Sequence, residues 1–335
     1  MRILAFESSC DETAAAVLER KDGKITVLSN IVASQVAIHA KFGGVVPEIA
    51  SRAHSEAISG ITYEALEKAS CTMDDIDAVA VTSNPGLIGA LLVAVNFAKS
   101  LAYAYNKPLI PVNHIKGHIA ANYICHAELK PPFIGFVASG GHTSIVRVED
   151  EHTHVLIGGT RDDAMGESFD KVARVMGMPY PGGAALDKLA YEGKNPVKFP
   201  SAAVRDDTLD FSFSGIKTAV LNLINQEKQK GGELPRADIA AGFVEAAVSS
   251  VIVKLGMAFD RNPDMKTLVL AGGVAANSHL REALEKFTKK RGIALYMPDL
   301  CYCGDNAAMI GAASFIEYDA GNLADVSLNA YAYSV

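Results

Sequence analysis

One order of elements occurs twice in this chain, and that constrains its fold more than any single motif. In the first pass an apolar strand, Ile3–Phe6, runs into the polar stretch Glu7–Thr13 and a second strand, Ala14–Leu18. A buried strand at Ala78–Thr82 then breaks at Asn84-Pro85-Gly86 before the apolar helix Leu87–Tyr105. A strand at Leu109–Val112 precedes a helix from Ile115 to His126. The second pass has a hairpin, Phe133–Ala138 and Thr143–Val148, around the turn Ser139–His142. It continues with strand Thr267–Leu270, Gly272-Gly273 and helix Asn277–Arg291, then strand Ala294–Met297 and helix Gly304–Glu317. One offset lays Phe6 on Phe136, Ser9 on Ser139, Thr13 on Thr143 and Glu19 on Glu149; a second lays Pro111 on Pro298, Gly117 on Gly304 and His118 on Asp305. The identities are few; the repeated order carries the argument.

Alternating strands and helices predict an α/β fold. Two such halves predict a two-lobed, duplicated molecule with a central cleft, of the actin-, hexokinase- and Hsp70-like (ASKHA) kind, with polar hairpin turns at the strand ends where such sheets bind ligands. The expected lobes are residues 1–130 and 131–335. The second carries a helical insertion over about 160–235, and the C-terminal helix is able to pack back on the first lobe.

With 49% apolar and 21% charged residues the chain can bury a large core, which excludes intrinsic disorder. Lys and Arg total 31 against 38 Asp and Glu, so the molecule as a whole is no basic nucleic-acid glove; any nucleic acid must be held by a local patch or with a partner. Cys10, Cys71, Cys125, Cys301 and Cys303 form no disulfide framework, which fits a reducing cytosol. The N-terminus reads as a first strand rather than a secretory leader, and the apolar run from Gly86 to Ala98 is too short to span a bilayer. A cytoplasmic protein with no membrane association is expected.

His114 and His118 stand four apart, which on a helix puts both imidazoles on one face, close enough to share a divalent metal. An isolated pair of this kind is more often two unrelated surface residues. The duplication changes that weighting, because it places Asp305 in the position of His118. Two His and one carboxylate leave coordination positions open, as a catalytic metal requires. The Glu of a zinc-protease motif is missing between the histidines, which argues against a peptidase.

Ala138, Ser139, Gly140, Gly141 and His142 form a turn whose Gly-Gly lets backbone N–H groups approach an anion, with Ser139 and Thr143 as further donors. An ordinary hairpin turn is the plain alternative. The acidic Glu7–Thr13 stretch in the matching place lacks the donors of a kinase loop. Gly272-Gly273 followed by Asn277 suits a purine or ribose, or simply close packing of helix on sheet. Between Arg161 and Asp187 many carboxylates, Asp170 and Asp187 among them, gather near the Gly-rich Pro181-Gly182-Gly183; Asp162 and Asp163 read best as a solvated acidic helix face.

Taken together these residues resemble the TsaD (Gcp) family. Phe6–Thr13, Gly43–Arg52, Lys99–His118 at its signature positions, Ser139–Thr143, Phe211–Lys217 and Gly304-Asp305-Asn306 carry the resemblance over essentially the whole chain. It implies a tRNA N(6)-adenosine threonylcarbamoyltransferase of the short bacterial type. Such an enzyme moves threonylcarbamoyl from threonylcarbamoyl-AMP to the exocyclic amine of the adenosine on the 3′ side of the anticodon, in tRNAs reading codons that begin with adenine. By the same carry-over His114, His118 and Asp305 would hold iron, or zinc, and Ala138–His142, Asp170, Gly183, Asp187 and Asn277 would bind the acyl-adenylate. The implied partners are tRNA, a TsaB-like paralogue, a TsaE-like ATPase and an upstream threonylcarbamoyl-AMP synthase. A small-molecule kinase or ATPase of the same superfold, and a non-catalytic scaffold, are the competing readings.

Overall fold

In the computed structural model residues 1–231 and 235–333 are described; residues 232–234, at the end of the expected insertion, and 334–335 lie outside them. The strands are β1 (Arg2–Glu7), β2 (Glu12–Lys21), β3 (Lys24–Ser34), β4 (Ala78–Asn84), β5 (Leu109–Asn113), β6 (Phe133–Ala138), β7 (Thr143–Val148), β8 (His154–Gly159), β9 (Thr267–Ala271) and β10 (Ala294–Tyr296). The helices are α1 (Val36–His39), α2 (Pro47–Lys68), α3 (Ile88–Ala104), α4 (His114–Cys125), α5 (Met165–Val175), α6 (Gly183–Ala190), α7 (Ser214–Lys230), α8 (Arg236–Arg261), α9 (Ser278–Arg291) and α10 (Ala307–Asp319). Most expected elements are present within a residue or two; α1, β8 and α7 were not read from the sequence.

The chain divides into two compact units, residues 1–129 with 298–335, and residues 130–297. The first holds a sheet in the order β3-β2-β1-β4-β5. Its strands alternate between two apolar cores, as the two-residue period of a pleated strand requires. Leu4 and Phe6 of β1 point to the core formed with α2 and α3. Ile3 and Ala5 point to the core formed with Ala120 and Ala121 of α4 and with Met309, Ile310 and Phe315 of α10. A sheet covered on both faces explains the unbroken apolar runs of β1 and β4. Each fully buried Phe or Leu contributes about 1.5–3 kcal/mol.

The second unit holds β10-β9-β6-β7-β8 in the same pattern of an antiparallel hairpin beside parallel strands. The hairpin registers agree with the first sequence offset: Phe6 pairs with Ala15, and Phe136 with Ile145. The second offset does not hold. α4 and α10 both begin after a capping asparagine, Asn113 accepting from Ile115 and Lys116 N–H, Asn306 from Met309 N–H. Aligned on those caps, Asp305 corresponds to Val112 and His118 to Gly311. A 3-10 turn at Leu300–Tyr302 lengthens the connection before α10, whereas β5 runs straight into α4. Asp305 is therefore not the symmetry mate of His118.

Among the described residues one helix, α8, is long and apolar enough to cross a membrane, and 61% of its apolar window is buried. It packs against α6, α7 and α9 within the second unit.

Candidate functional site

Asp305 reaches the histidines through packing. Gly117, between them on α4, has no side chain; a Cβ there would sit 2.7 Å from Cδ1 of Ile310. α10 can thus lie close against α4, and the residue just before its cap arrives beside His118. Asp305 Oδ1 is 3.2 Å from His118 Nε2 and 3.6 Å from His114 Nε2. The two rings stand edge to face with centroids 4.6 Å apart. One ligand atom from each of the three residues lies within 4.8 Å of the others.

The other side of His114 is fixed by β1 and its turn. Nδ1 lies 3.0 Å from Glu7 Oε2 and 3.1 Å from Ser9 Oγ. Glu7 is buried and also accepts from Thr82 Oγ–H at 2.6 Å and from Ser9 N–H. Burial opposes an imidazolium at His114, but the charges of Glu7 and Asp305 outweigh it and push the group up to about 9. Burial alone would raise Glu7, yet His114 pulls it below the ordinary carboxylate range. By contrast, neither ring nitrogen of the fully buried His118 makes a hydrogen bond among the described residues. A buried imidazole with no hydrogen bond, and only the Asp305 carboxylate near Nε2, is costly unless something else occupies its lone pair. The donor set of two imidazoles and a carboxylate suits a transition metal or zinc, and Glu7 stands to His114 as the outer carboxylate that orients a metal-bound imidazole.

Around this group the turn is acidic. Burial, then the charges of Asp305 and Asp11, push Glu12 up to about 9. The turn is braced by His54, whose Nε2–H donates to the Cys10 carbonyl at 3.0 Å while Nδ1 faces Thr13 Oγ1 at 2.8 Å. Two features went unread in the sequence: Glu7 as the partner of His114, and His54 as the brace. Neither has a local signal, because each partner comes from a distant strand or helix.

In the second unit the turn after β6 is tight. Ser139 N–H donates to His142 O at 2.8 Å, and His142 N–H donates to Ser139 Oγ at 3.1 Å. Neither Gly140 nor Gly141 has a left-handed φ, and a Cβ at either would meet nothing within 4 Å. Gly272 differs: its φ is +92°, and a Cβ would lie 2.3 Å from the Ala138 carbonyl oxygen. This glycine keeps β9 against the Ala138 end of β6. Thr143, expected as a hydroxyl donor, accepts from Met165 N–H at 2.8 Å and so starts α5, which leaves its O–H to donate.

Asp170 Oδ1 accepts from the N–H groups of Gly182 and Gly183 at 2.8 and 3.0 Å and shapes the loop into α6. Asp187, on α6, accepts from Ser278 N–H at 2.9 Å and Ser278 Oγ–H at 2.6 Å, and lies 2.6 Å from His279 Nδ1. Burial would raise its carboxyl, but Ser278 and His279 together hold it below the usual range. Asn277 caps α9, its Oδ1 accepting from Leu280 N–H at 2.8 Å.

Asp162 and Asp163 are not a solvated helix face. They precede α5 in an irregular turn and grip the Phe211–Lys217 segment. Asp162 accepts from Phe213 and Ser214 N–H at 2.9 and 3.2 Å and from Ser212 Oγ–H. Asp163 sits between Lys171, at 2.8 Å, and Lys217. Burial raises the Asp163 carboxyl, but the two ammonium groups hold it below its ordinary value.

Two five-stranded α/β sheets of matching pattern define the ASKHA fold class. Solved structures agree at the level of fold: the HypF crystal structure of T. kodakarensis aligns over 98% of this chain and 49% of that one, with TM-score 0.63 and 15% identity. The (R)-2-hydroxyglutaryl-CoA dehydratase component A of Acidaminococcus fermentans aligns over 94% and 96%, with TM-score 0.56 and 15% identity. The TsaD family model, described as tRNA N6-adenosine threonylcarbamoyltransferase, matches residues 26–312. Proteins of that name in Clostridium perfringens and Clostridium novyi are each 55% identical, over 98% of this chain and 96% of theirs. One in Clostridium botulinum is 54% identical over the same shares. The chain belongs to the TsaD family and is a transferase acting in the threonylcarbamoyl modification of tRNA adenosine.

Proposed function

We propose that the chain transfers threonylcarbamoyl from threonylcarbamoyl-AMP to the N(6) amine of the adenosine on the 3′ side of the anticodon, in tRNAs reading codons that begin with adenine. The observation that carries the metal-assisted form of this reading is the convergence of His114, His118 and Asp305, with His118 buried and making no hydrogen bond among the described residues. These three residues would hold one divalent metal, iron in the first instance and zinc as the alternative. Bound there, such an ion supplies Lewis-acid polarisation of the carbamoyl group.

The chain's own residues do the rest. Glu7 orients His114 so that Nε2 faces Asp305. The Gly140 and Gly141 amides, which donate to no group among the described residues, are available to the phosphate of the adenylate. Asp187 and the Asn277 amide are available to its sugar, and Asp170 shapes the Gly182-Gly183 turn beside it. Ala138 and His142 complete the loop. The adenine amine is a weak nucleophile, so positioning and activation of the electrophile carry most of the rate. With a formal charge of −7, tRNA binding leans on a local patch or on partners. A TsaB-like paralogue, a TsaE-like ATPase and a threonylcarbamoyl-AMP synthase are the partners this reading requires, in the cytoplasm and without a membrane.

The test is a reconstituted assay with labelled threonine, bicarbonate, ATP, unmodified tRNA, the synthase and the partners. Label should reach tRNA only when this chain is present and should be lost with Asp305→Ala. Absence of label with active partners, together with ATP turnover on small substrates, would return the chain to the kinase-like reading.

A further inference from the structure

Asp187 is held from three sides by a set of residues that neither the metal group nor the Gly-rich turn needs. Ser278 uses both its N–H and its O–H on Oδ2, and His279 Nδ1 approaches Oδ1 at 2.6 Å. The His279 ring in turn stacks on Tyr191, with centroids 3.9 Å apart and planes 29° from parallel. The Tyr191 hydroxyl donates to Glu282 Oε1 at 2.7 Å and lies 3.0 Å from Ser278 Oγ. Tyr191 is one turn beyond Asp187 at the end of α6, so α6 and α9 close a ring of contacts through these side chains.

The ring has features of a site. Tyr191 is 53% exposed, yet its position is fixed by a stack and a charge-assisted hydrogen bond. Asp187 is 8% exposed and keeps its charge. A carboxylate offers about four acceptor directions. Three are used among the described residues, and the one remaining is on Oδ1, the oxygen whose orientation His279 fixes. We infer that His279, backed by Tyr191, is a positioning residue that aims Asp187 Oδ1 at a sugar hydroxyl of the bound adenylate and so makes the site select ribonucleotides over deoxyribonucleotides. This rests on the reading of Asp187 as an adenylate contact. It goes beyond that reading by giving the selection to His279 and Tyr191.

The intact protein is titrated calorimetrically with AMP, 2′-deoxy-AMP and 3′-deoxy-AMP. The variants are His279→Ala, His279→Asn, Tyr191→Ala and Asp187→Asn. Wild type should prefer AMP over at least one deoxynucleotide by about tenfold, the worth of one charge-assisted hydrogen bond. His279→Ala should cut that preference about 5- to 10-fold while leaving deoxynucleotide affinity nearly unchanged, and His279→Asn, which keeps an N–H donor at a similar reach, should restore most of it. Tyr191→Ala removes the stack on His279 and the hydroxyl contacts to Ser278 and Glu282 but no direct contact to Asp187, and should move the preference the same way by a smaller factor. In the transfer assay His279→Ala should raise KM for the adenylate with kcat nearly kept. Undiminished preference in both His279→Ala and Tyr191→Ala overturns the inference. Undiminished preference in Asp187→Asn overturns the adenylate reading of Asp187 itself.

Discussion

Glu7 and His114 lie 107 residues apart in the chain, and their side chains meet at 3.0 Å in the interior. The contact spends Nδ1 of the imidazole and leaves Nε2 for the Asp305 side. Loss of such an outer carboxylate typically lowers metal affinity by about 10–100-fold. Glu7→Gln keeps the shape but only one of the two acceptor oxygens, so either Thr82 Oγ–H or Ser9 N–H keeps its bond, and it removes the charge that faces His114. It should therefore bind Fe(II) or Zn(II) about 10–100-fold more weakly in a chelator competition, with the fold intact by circular dichroism.

His114→Ala and Asp305→Ala should both abolish transfer, but only one should leave stability nearly unchanged. Asp305 has 19% of its side chain exposed, and its removal should cost about 1 kcal/mol or less. Removing His114 leaves the Glu7 carboxylate buried without its charge partner, a loss of about 3–5 kcal/mol. Denaturant titration of the two variants should separate them clearly.

Glycine substitutions in the second unit should split by mechanism. Gly272→Ala places a methyl 2.3 Å from the Ala138 oxygen at a left-handed φ, so it should lose about 4 kcal/mol or more. Gly140→Ala meets nothing and should melt within a few degrees of wild type. It should nevertheless weaken AMP binding, because the added methyl crowds the approach to the amides. Thermal melts beside calorimetry decide the matter.

The Asp163 ion pairs should appear as an acid-sensitive part of stability. The folded-state pKa of Asp163 lies below its unfolded value, so its contribution is complete above about pH 3.9 and fades as the pH falls through the lower folded value. Asp163→Asn should lose about 1.5–3 kcal/mol at pH 7. The gap between it and wild type should narrow as the pH is taken from 5 toward 2, in paired urea titrations. A gap that stayed constant with pH would remove the ion pairs as its cause.

Much of this was legible in the chain. The spacing of His114 and His118 sufficed to put both on one helix face, and the polar turn Ser139–His142 stood out between two apolar runs. The Phe211–Lys217 segment was visible only as a motif, because its partners Asp162 and Asp163 come from about fifty residues earlier, with |i−j| of 51 for Phe213 and Asp162. The same local reading mistook those aspartates for a solvated face, since charge alone does not distinguish water from a neighbouring lysine or helix start.

The sequence by itself determined the duplicated α/β order, the two hairpins and their polar turns, because these follow from short-range periodicity and turn chemistry. It also determined which residue types stood ready for a metal. Only the tertiary structure decided that Asp305 reaches the histidines through the Gly117 contact between α4 and α10 rather than by internal symmetry. It likewise decided that Glu7 orients His114 and that His279 braces Asp187. The reason is physical: such contacts join elements distant in sequence, and they depend on how closely two backbones approach, a quantity that no local pattern encodes.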